Sequence, residues 1–119
     1  MTAKELKERT FGFGIRVIRV VESLPKTEIA RVLGHQLLRA GTSVGANYRA
    51  AARARSHADF IAKLGIVEEE CDEAMFWMQL LVAVKFVKPS RVSGLLGEAD
   101  ELLAVVVSSI NTARRRRRS

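Results

Sequence analysis

The acidic block at residues 68–73 is the part of the sequence that most resembles a metal site. Five of its six residues are carboxylates: Glu68, Glu69, Glu70, Asp72 and Glu73. Di-metal carboxylate bundles use a Glu-x-x-His pair on each of two helices and further glutamates on the others. The chain contains no Glu-x-x-His. We therefore interpret the block as a solvated helix face with one or two buried salt-bridge partners, and we expect neither a metal ion nor a cofactor.

Nucleophilic catalysis also lacks candidate residues. The single cysteine, Cys71, lies between Glu70 and Asp72, and both burial and flanking negative charge disfavour its thiolate. The two histidines, His35 and His57, have no serine or cysteine that a pattern pairs with them. The sequence therefore predicts no catalytic residue, no enzymatic activity and an inert Cys71 in the core.

Basic residues form a more organised pattern on the second predicted helix and in the turn after it. The set consists of His35, Arg39, Arg49, Arg53, Arg55 and Lys63. Tyr48 is the only aromatic residue among these charges, so the stacking of single-stranded bases is poorly supported. The row is suited to phosphate contact that does not read sequence. Two other interpretations stay open: a soluble helix face, or a contact with the acidic block of a neighbouring subunit.

The net charge of +7 resides mostly in the last residues of the chain. Without Arg114 to Arg118, 15 basic residues face 13 acidic ones, which leaves a charge of only +2. We predict a disordered tail at residues 114–119, because a run of like charges at a terminus usually remains disordered. Arg114, Arg115 and Arg116 are candidate phosphate ligands in this tail, although solvation alone would also explain the run.

Two prolines, Pro25 and Pro89, separate segments whose apolar residues recur at spacings of three and four. The segments are helix one over residues 4–24, helix two after the cap Thr27, helix three after the cap Ser56, and helix four from Pro89. The connections are short, and no alternating strand pattern competes. The prediction is an all-α protein in which residues 1–113 form a single antiparallel four-helix bundle with short loops.

The stretch RAGTSVGANYRAA, residues 39–51, looks like a phosphate loop but lies inside the second predicted helix. A P-loop has glycines five positions apart followed by Lys-Ser or Lys-Thr, whereas Gly41 and Gly45 are four apart and Ala-Asn follows. On a helix, Gly34, Gly41 and Gly45 leave a strip of bare backbone that lets another helix approach closely. The partner is helix one, three or four of the same chain, which we favour, or a neighbouring subunit.

Asn47 occupies a core position in the otherwise apolar row of the second helix. A buried amide without a hydrogen bond costs about 1 to 3 kcal/mol. We expect its partners in the acidic block, within a structural network that fixes helix register. A ligand site is the alternative.

The chain has none of the usual signals for export or membrane insertion. The lone cysteine has no disulfide partner, and the start of the chain lacks an apolar signal core. The longest apolar run is the six residues LLAVVV, far below the roughly 18 needed to span a bilayer. We expect a cytoplasmic protein without a membrane partner.

Residues 36–81, QLLRAGTSVGANYRAAARARSHADFIAKLGIVEEECDEAMFWMQLL, carry a family resemblance. The family pattern is an arginine, small residues, Ser or Thr, an Asn, a basic turn, a Phe and a glutamate-bearing helix. These positions are Arg39, Ser43, Asn47, Arg53, Phe60 and Glu69 or Glu70. The segment resembles the core signature of the small four-helix-bundle proteins named for intervening sequences in bacterial 23S ribosomal RNA genes. The likeness covers most of residues 5–110, although YRAA replaces the usual Ala-Glu-Gly after the Asn.

The resemblance implies an antiparallel bundle that assembles into homo-oligomeric rings, typically pentamers, with no established catalytic activity. Relatives include the accessory proteins of diversity-generating retroelements, whose basic ring surface is associated with RNA and a reverse transcriptase. With the patterns above, it implies structural roles for Gly41, Ser43, Gly45, Asn47, Glu69 and Glu70.

The leading hypothesis is therefore a non-enzymatic homo-oligomer that binds RNA or an RNA-containing complex. The residues expected to bind are Arg39, Arg49, Arg53, Arg55, Lys63 and the arginines of the tail. The alternative is a protein-interaction scaffold with no direct nucleic-acid role.

Overall fold

The computed structural model describes the backbone of residues 1–118 and the side chains of residues 1–117. These residues form four helices and no strand: α1 (Ala3–Glu22), α2 (Glu28–Ala52), α3 (His57–Ala83) and α4 (Pro89–Arg118). Each helix packs against the next in the chain, and a less extensive contact between α1 and α4 closes the bundle. The prediction of an all-α, antiparallel four-helix bundle with short loops is confirmed.

Side-chain caps fix where the helices begin. Thr27 and Ser56 accept hydrogen bonds from the backbone N–H groups of Ala30 (3.2 Å) and Asp59 (3.0 Å), as the sequence predicts. Thr2 caps α1 in the same way through the N–H of Glu5. The three caps therefore fix the first residues of α1, α2 and α3 from local sequence.

The core is a continuous apolar column along the bundle axis. It is built from the predicted rows of all four helices, and its largest fully buried apolar side chains are Phe13, Leu37, Leu64, Met78, Leu81 and Leu102. Burying one such side chain contributes roughly 1.5 to 3 kcal/mol. Cys71 lies within this column and is fully buried.

The glycines of α2 lie against α1 of the same chain. A Cβ added at Gly41 would lie 2.6 Å from Cγ2 of Val17, and one added at Gly45 would lie 3.1 Å from the carbonyl oxygen of Thr10. Both distances are too short for a side chain without movement of the neighbour. The small residues therefore let α1 approach the backbone of α2, which selects one of the partners that the sequence left open.

The arginine run does not leave the bundle as a separate disordered segment. Instead, α4 continues as a helix through residues 114–117 and ends at Arg118. An arginine has high helix propensity, and a helix that is already nucleated extends by one hydrogen bond for each residue it fixes. The prediction of a disordered tail neglected this propagation; Ser119 lies outside the described residues.

Candidate nucleic-acid interface

Several chain segments meet at the end of the bundle where α1 and α3 begin and where α2 and α4 end. We call this end, which consists of residues 1–8, 49–63 and 113–118, the basic end. These residues include eleven lysines and arginines but only three carboxylates. The antiparallel topology therefore gathers more than half of the 20 basic residues of the chain at one end.

A hydrogen bond joins the turn between α2 and α3 to the end of α4. The Nε2–H of His57 donates to the carbonyl oxygen of Ala113 at 2.8 Å. Ala113 is buried and directly precedes the arginine run, and His57 follows Arg55 by two residues. Sequence reasoning missed this role for His57, because its partner lies 56 residues away and no local pattern relates the two.

The basic side chains of the turn differ in how much of their charge is neutralised. Arg49 and Arg53 are exposed, and neither forms an ion pair with another described residue. Lys63 binds Asp59 at 2.9 Å, and Arg55 lies close enough to Asp59 to interact electrostatically. The hydrogen bond from Lys63, with a smaller contribution from Arg55, lowers the pKa of the Asp59 carboxyl. Arg49 and Arg53 are thus the two most available cations of this turn.

The arginines of α4 extend this surface beyond the core. Residues 114–117 are all exposed, and Arg115 makes a long contact of 3.4 Å to the hydroxyl of Thr112. Their position after buried Ala113 directs the charge away from the apolar column and toward solvent. The structure therefore brings Arg114, Arg115 and Arg116 to the same end as Arg53.

Arg39 does not belong to the basic end. It lies 14 residues before Arg53 on α2, which is about 21 Å along the helix. Its guanidinium also forms an ion pair with Glu73 at 3.1 Å and a hydrogen bond with Gln36 at 3.2 Å. The basic row predicted on α2 is therefore divided into two parts. Arg39 lies near the middle of the helix in an ion pair, whereas Arg49 and Arg53 lie at its C-terminal end.

The carboxylate of Glu73 on α3 accepts hydrogen bonds from one side chain of α2 and from one side chain of its own helix. Its Oε1 accepts hydrogen bonds from the Arg39 guanidinium and, at 3.2 Å, from the indole N–H of Trp77. Trp77 was not among the residues that the sequence singled out, although its spacing of four from Glu73 is the signal that would have found it. This cluster holds the guanidinium of Arg39 in place on the surface.

The expected hydrogen bond from Asn47 to the acidic block does not form. The half-buried Asn47 amide donates to the carbonyl oxygen of Ser43 at 2.8 Å, and the Ser43 hydroxyl donates to the carbonyl oxygen of Arg39 at 2.6 Å. Both bonds stay within α2, because a short polar side chain can reach the carbonyl one turn earlier. The amide is satisfied locally, so it needs no partner on α3.

Burial sets the acid–base properties of the acidic block. Glu70 is half-buried, and its Oε2 is buried without a hydrogen-bond partner among the described residues. Burial, followed by the nearby charge of Glu73, raises the pKa of the Glu70 carboxyl, whereas Glu69 is exposed. Burial and the charges of Glu70 and Asp72 raise the pKa of Cys71 to about 12. The predicted position of Cys71 in the core is therefore confirmed.

Among the described residues that define the basic end, no aromatic side chain is fully exposed, but Phe11, which is 71% exposed, lines a groove beside Lys4, Lys7 and Arg49. Tyr48, the aromatic residue nearest to the predicted basic row, is buried, and Phe60 packs partly against the core. In the part of the chain that the structure describes, no group of three His, Cys, Asp or Glu residues is placed to hold a metal ion. No helix of the described residues is long and apolar enough to cross a membrane. The basic end therefore offers charge and hydrogen-bond donors.

Comparisons with known proteins place the chain in one protein family. A family model described as 23S rRNA-intervening sequence protein matches residues 4–108. A solved structure from Bacteroides thetaiotaomicron VPI-5482, described as a protein of unknown function from the S23 ribosomal protein family, is 31% identical. The similarity covers 88% of this chain and 97% of that one, with a TM-score of 0.83. No curated protein gives a significant match.

Proposed function

Because the chain belongs to the family of 23S rRNA-intervening sequence proteins, we propose that it is a non-enzymatic, homo-oligomeric bundle that binds RNA through its basic end. The RNA is free or part of a complex, and an associated reverse transcriptase fits the resemblance to retroelement accessory proteins. The protein then acts in the cytoplasm as a binding module.

The observation that supports this proposal most is the convergence of two basic segments that are far apart in the sequence. The hydrogen bond from His57 to Ala113 brings the turn with Arg53 and Arg55 beside the arginine run of α4. A lone charged terminus is common in soluble proteins, whereas a folded contact that joins it to a second basic segment builds one continuous surface. Phosphate groups, spaced along a nucleic-acid backbone, match such a surface.

The chemistry of the basic end favours backbone contact over base recognition. Lysine and arginine side chains neutralise phosphates and release condensed counterions, which makes affinity fall with salt. The described residues of the basic end present no exposed aromatic side chain for base stacking. We therefore expect binding with a steep salt dependence and little preference for sequence.

The test removes two charges from the basic end and, as a control, two from the opposite end. The variants are Arg53→Gln/Arg55→Gln and Lys26→Gln/Lys88→Gln; Lys26 and Lys88 are exposed and lie in the α1–α2 and α3–α4 turns. If each arginine neutralises one phosphate, affinity for single-stranded RNA falls about 25-fold at 0.1 M salt. The control stays within about twofold of the wild type. Equal losses in both variants, or a wild type that fails to retain RNA at low salt, would reject the proposal.

A protein-interaction scaffold is the second candidate function, and one surface groove favours it. Arg49 borders a groove that it shares with the exposed side chain of Phe11, which is an arrangement suited to a protein partner. In that case Arg49→Glu/Arg53→Glu disrupts the oligomer before it affects RNA retention. An intact oligomer in this variant, measured by light scattering, counts against the scaffold.

A further inference from the structure

Two aromatic side chains of the described residues are exposed to solvent, and they have neighbours of opposite charge. Phe11 of α1 is 71% exposed, and Phe76 of α3 is 53% exposed. A single exposed apolar side chain is ordinary in a folded protein. The groups around each ring therefore decide whether the ring is suited to a ligand.

The neighbours of Phe76 are acidic. Asp72 and Glu73 lie about one helical turn before it on α3. The ring of Phe76 also packs edge to face against the ring of Trp77, with centroids 5.0 Å apart. Because the nearby carboxylates repel a polyanion, this ring is not suited to a ligand that carries phosphate groups.

The neighbours of Phe11 are mostly cationic. Lys4 and Lys7 precede Phe11 by seven and four residues, so the three side chains lie on one side of α1. Arg49 of α2 and a single carboxylate, Glu8, line the same groove among the described residues. Neither lysine nor Arg49 forms an ion pair with another described residue. The ring of Phe11 therefore lies among three available cations.

The groove between α1 and α2 leaves room beside the Phe11 ring. Phe11 borders two adjoining hollows, one of about 450 Å³ toward Lys4 and one of about 430 Å³ toward Ile15. Each volume falls within the range of about 300 to 1,000 Å³ that is usual for small-molecule sites. On the α2 side, Gly45 and Ala46 contribute nothing larger than a methyl group to the lining. A flat group can therefore enter next to the ring.

We propose that Phe11 stacks against an unpaired base of a bound RNA strand, while Lys4, Lys7 and Arg49 contact the neighbouring phosphates. A cationic groove with an aromatic ring for the bases is the usual means of binding single strands. At 1.5 Å per residue, Lys7 and Lys4 lie about 6 and 11 Å from Phe11 along α1, so their side chains reach phosphates next to the stacked base.

An RNA strand is the occupant because the groove continues the basic end. Lys4, Lys7 and Arg49 all belong to that end, and they give the groove an excess of positive charge that complements phosphate groups. The inference rests on the proposed function and adds the class of RNA to it. Bases in a duplex are paired and stacked on one another, so Phe11 reaches only single-stranded RNA. Every base has a face that stacks, so no sequence preference follows.

The test changes the Phe11 ring without changing any charge. Phe11→Leu keeps an apolar side chain but removes the aromatic ring, Phe11→Tyr keeps the ring, and Phe76→Leu is the matched control at the acidic site. Fluorescence anisotropy measures binding to single-stranded oligouridylate and to its duplex with oligoadenylate over a salt series. Circular dichroism and light scattering verify that the fold and the mass of each variant are those of the wild type.

We expect Phe11→Leu to bind oligouridylate about 5-fold or more weakly than the wild type. Its slope of log affinity against log salt should be unchanged, because no phosphate contact is lost. Its affinity for the duplex should also stay at the wild-type value. Phe11→Tyr and Phe76→Leu should both bind oligouridylate within about twofold of the wild type.

Three results would overturn the proposal: wild-type binding of oligouridylate by Phe11→Leu, an equal loss for the duplex, or a loss that Phe11→Tyr shares. A Phe11→Leu variant with an altered mass and unchanged RNA binding would assign the groove to a protein contact and would also overturn it. In these cases a wild type that binds RNA with a steep salt dependence leaves the proposed function intact. A wild type that fails to bind RNA at low salt rejects the proposed function and this inference together.

Discussion

The two sides of α2 are packed by different chemistry. Toward α1, Gly41 and Gly45 allow contact with Val17 and with the backbone of Thr10, and the fit depends on shape. Toward α3, Arg39 pairs with Glu73, and Glu70 keeps an unpaired oxygen. The side of α2 that faces α1 thus has no room for added side-chain atoms at Gly41 and Gly45, whereas the side that faces α3 carries charged groups at the surface. The difference predicts that the two sides respond to different perturbations.

The largest effect is expected from adding one methyl group on the α1 side. Gly41→Ala places a Cβ 2.6 Å from Val17, so α1 must shift, and overpacking of this kind costs about 1 to 3 kcal/mol. Gly65→Ala on α3 is the control, because nothing lies within 4 Å of a Cβ there. The control should stabilise the fold by up to about 1 kcal/mol through helix propensity. Urea unfolding measures both, and similar stabilities for the two variants would contradict close packing at Gly41.

A smaller and pH-dependent effect is expected on the α3 side. The pKa of Glu70 is raised in the folded protein, so this carboxyl favours folding while it is protonated, and the contribution is lost as pH rises through the folded pKa. Glu70→Gln should therefore be more stable than the wild type at pH 7, by less than about 1 kcal/mol because the group is only half-buried.

Thermal unfolding of Glu70→Gln and the wild type at pH 7 and pH 4 measures this difference. At pH 4, below the usual pKa of a glutamate, most wild-type Glu70 is protonated and the two proteins should unfold at nearly the same temperature. Glu69→Gln is the matched control, because Glu69 is the neighbouring carboxylate on α3 and its side chain is exposed. A gap between Glu70→Gln and the wild type that is the same at both pH values would refute the assigned cause.

The sequence was sufficient for the fold because the relevant signals are local. Thr27 and Ser56 are caps that satisfy backbone groups within one turn, and the apolar rows repeat within each helix. The same local reasoning failed at Asn47, where a bond to Ser43 in its own helix competed with the expected bond to α3. It failed again at Arg114, where helix propagation outweighs repulsion between like charges.

The candidate site was only partly predictable. Residue types predicted Arg49, Arg53 and the arginine run as candidate phosphate ligands, but their grouping depends on topology. The bond between His57 and Ala113, and the separation of Arg39 from this group, follow from how four helices align in space. The exposure of Phe11, Ile15 and Ile18 was equally hidden, because periodicity shows that they form one row without showing that the row faces solvent.

The salt dependence of RNA affinity tests the central claim most directly. We would compare the wild type with Arg114→Gln/Arg115→Gln/Arg116→Gln, using fluorescence anisotropy of a single-stranded RNA from low to moderate salt. If the arginines of α4 act with the turn between α2 and α3, the variant still binds, and the slope of log affinity against log salt becomes shallower by about 2. An unchanged slope would show that these arginines contact no phosphate, and a complete loss of binding would show that the folded basic end contributes none.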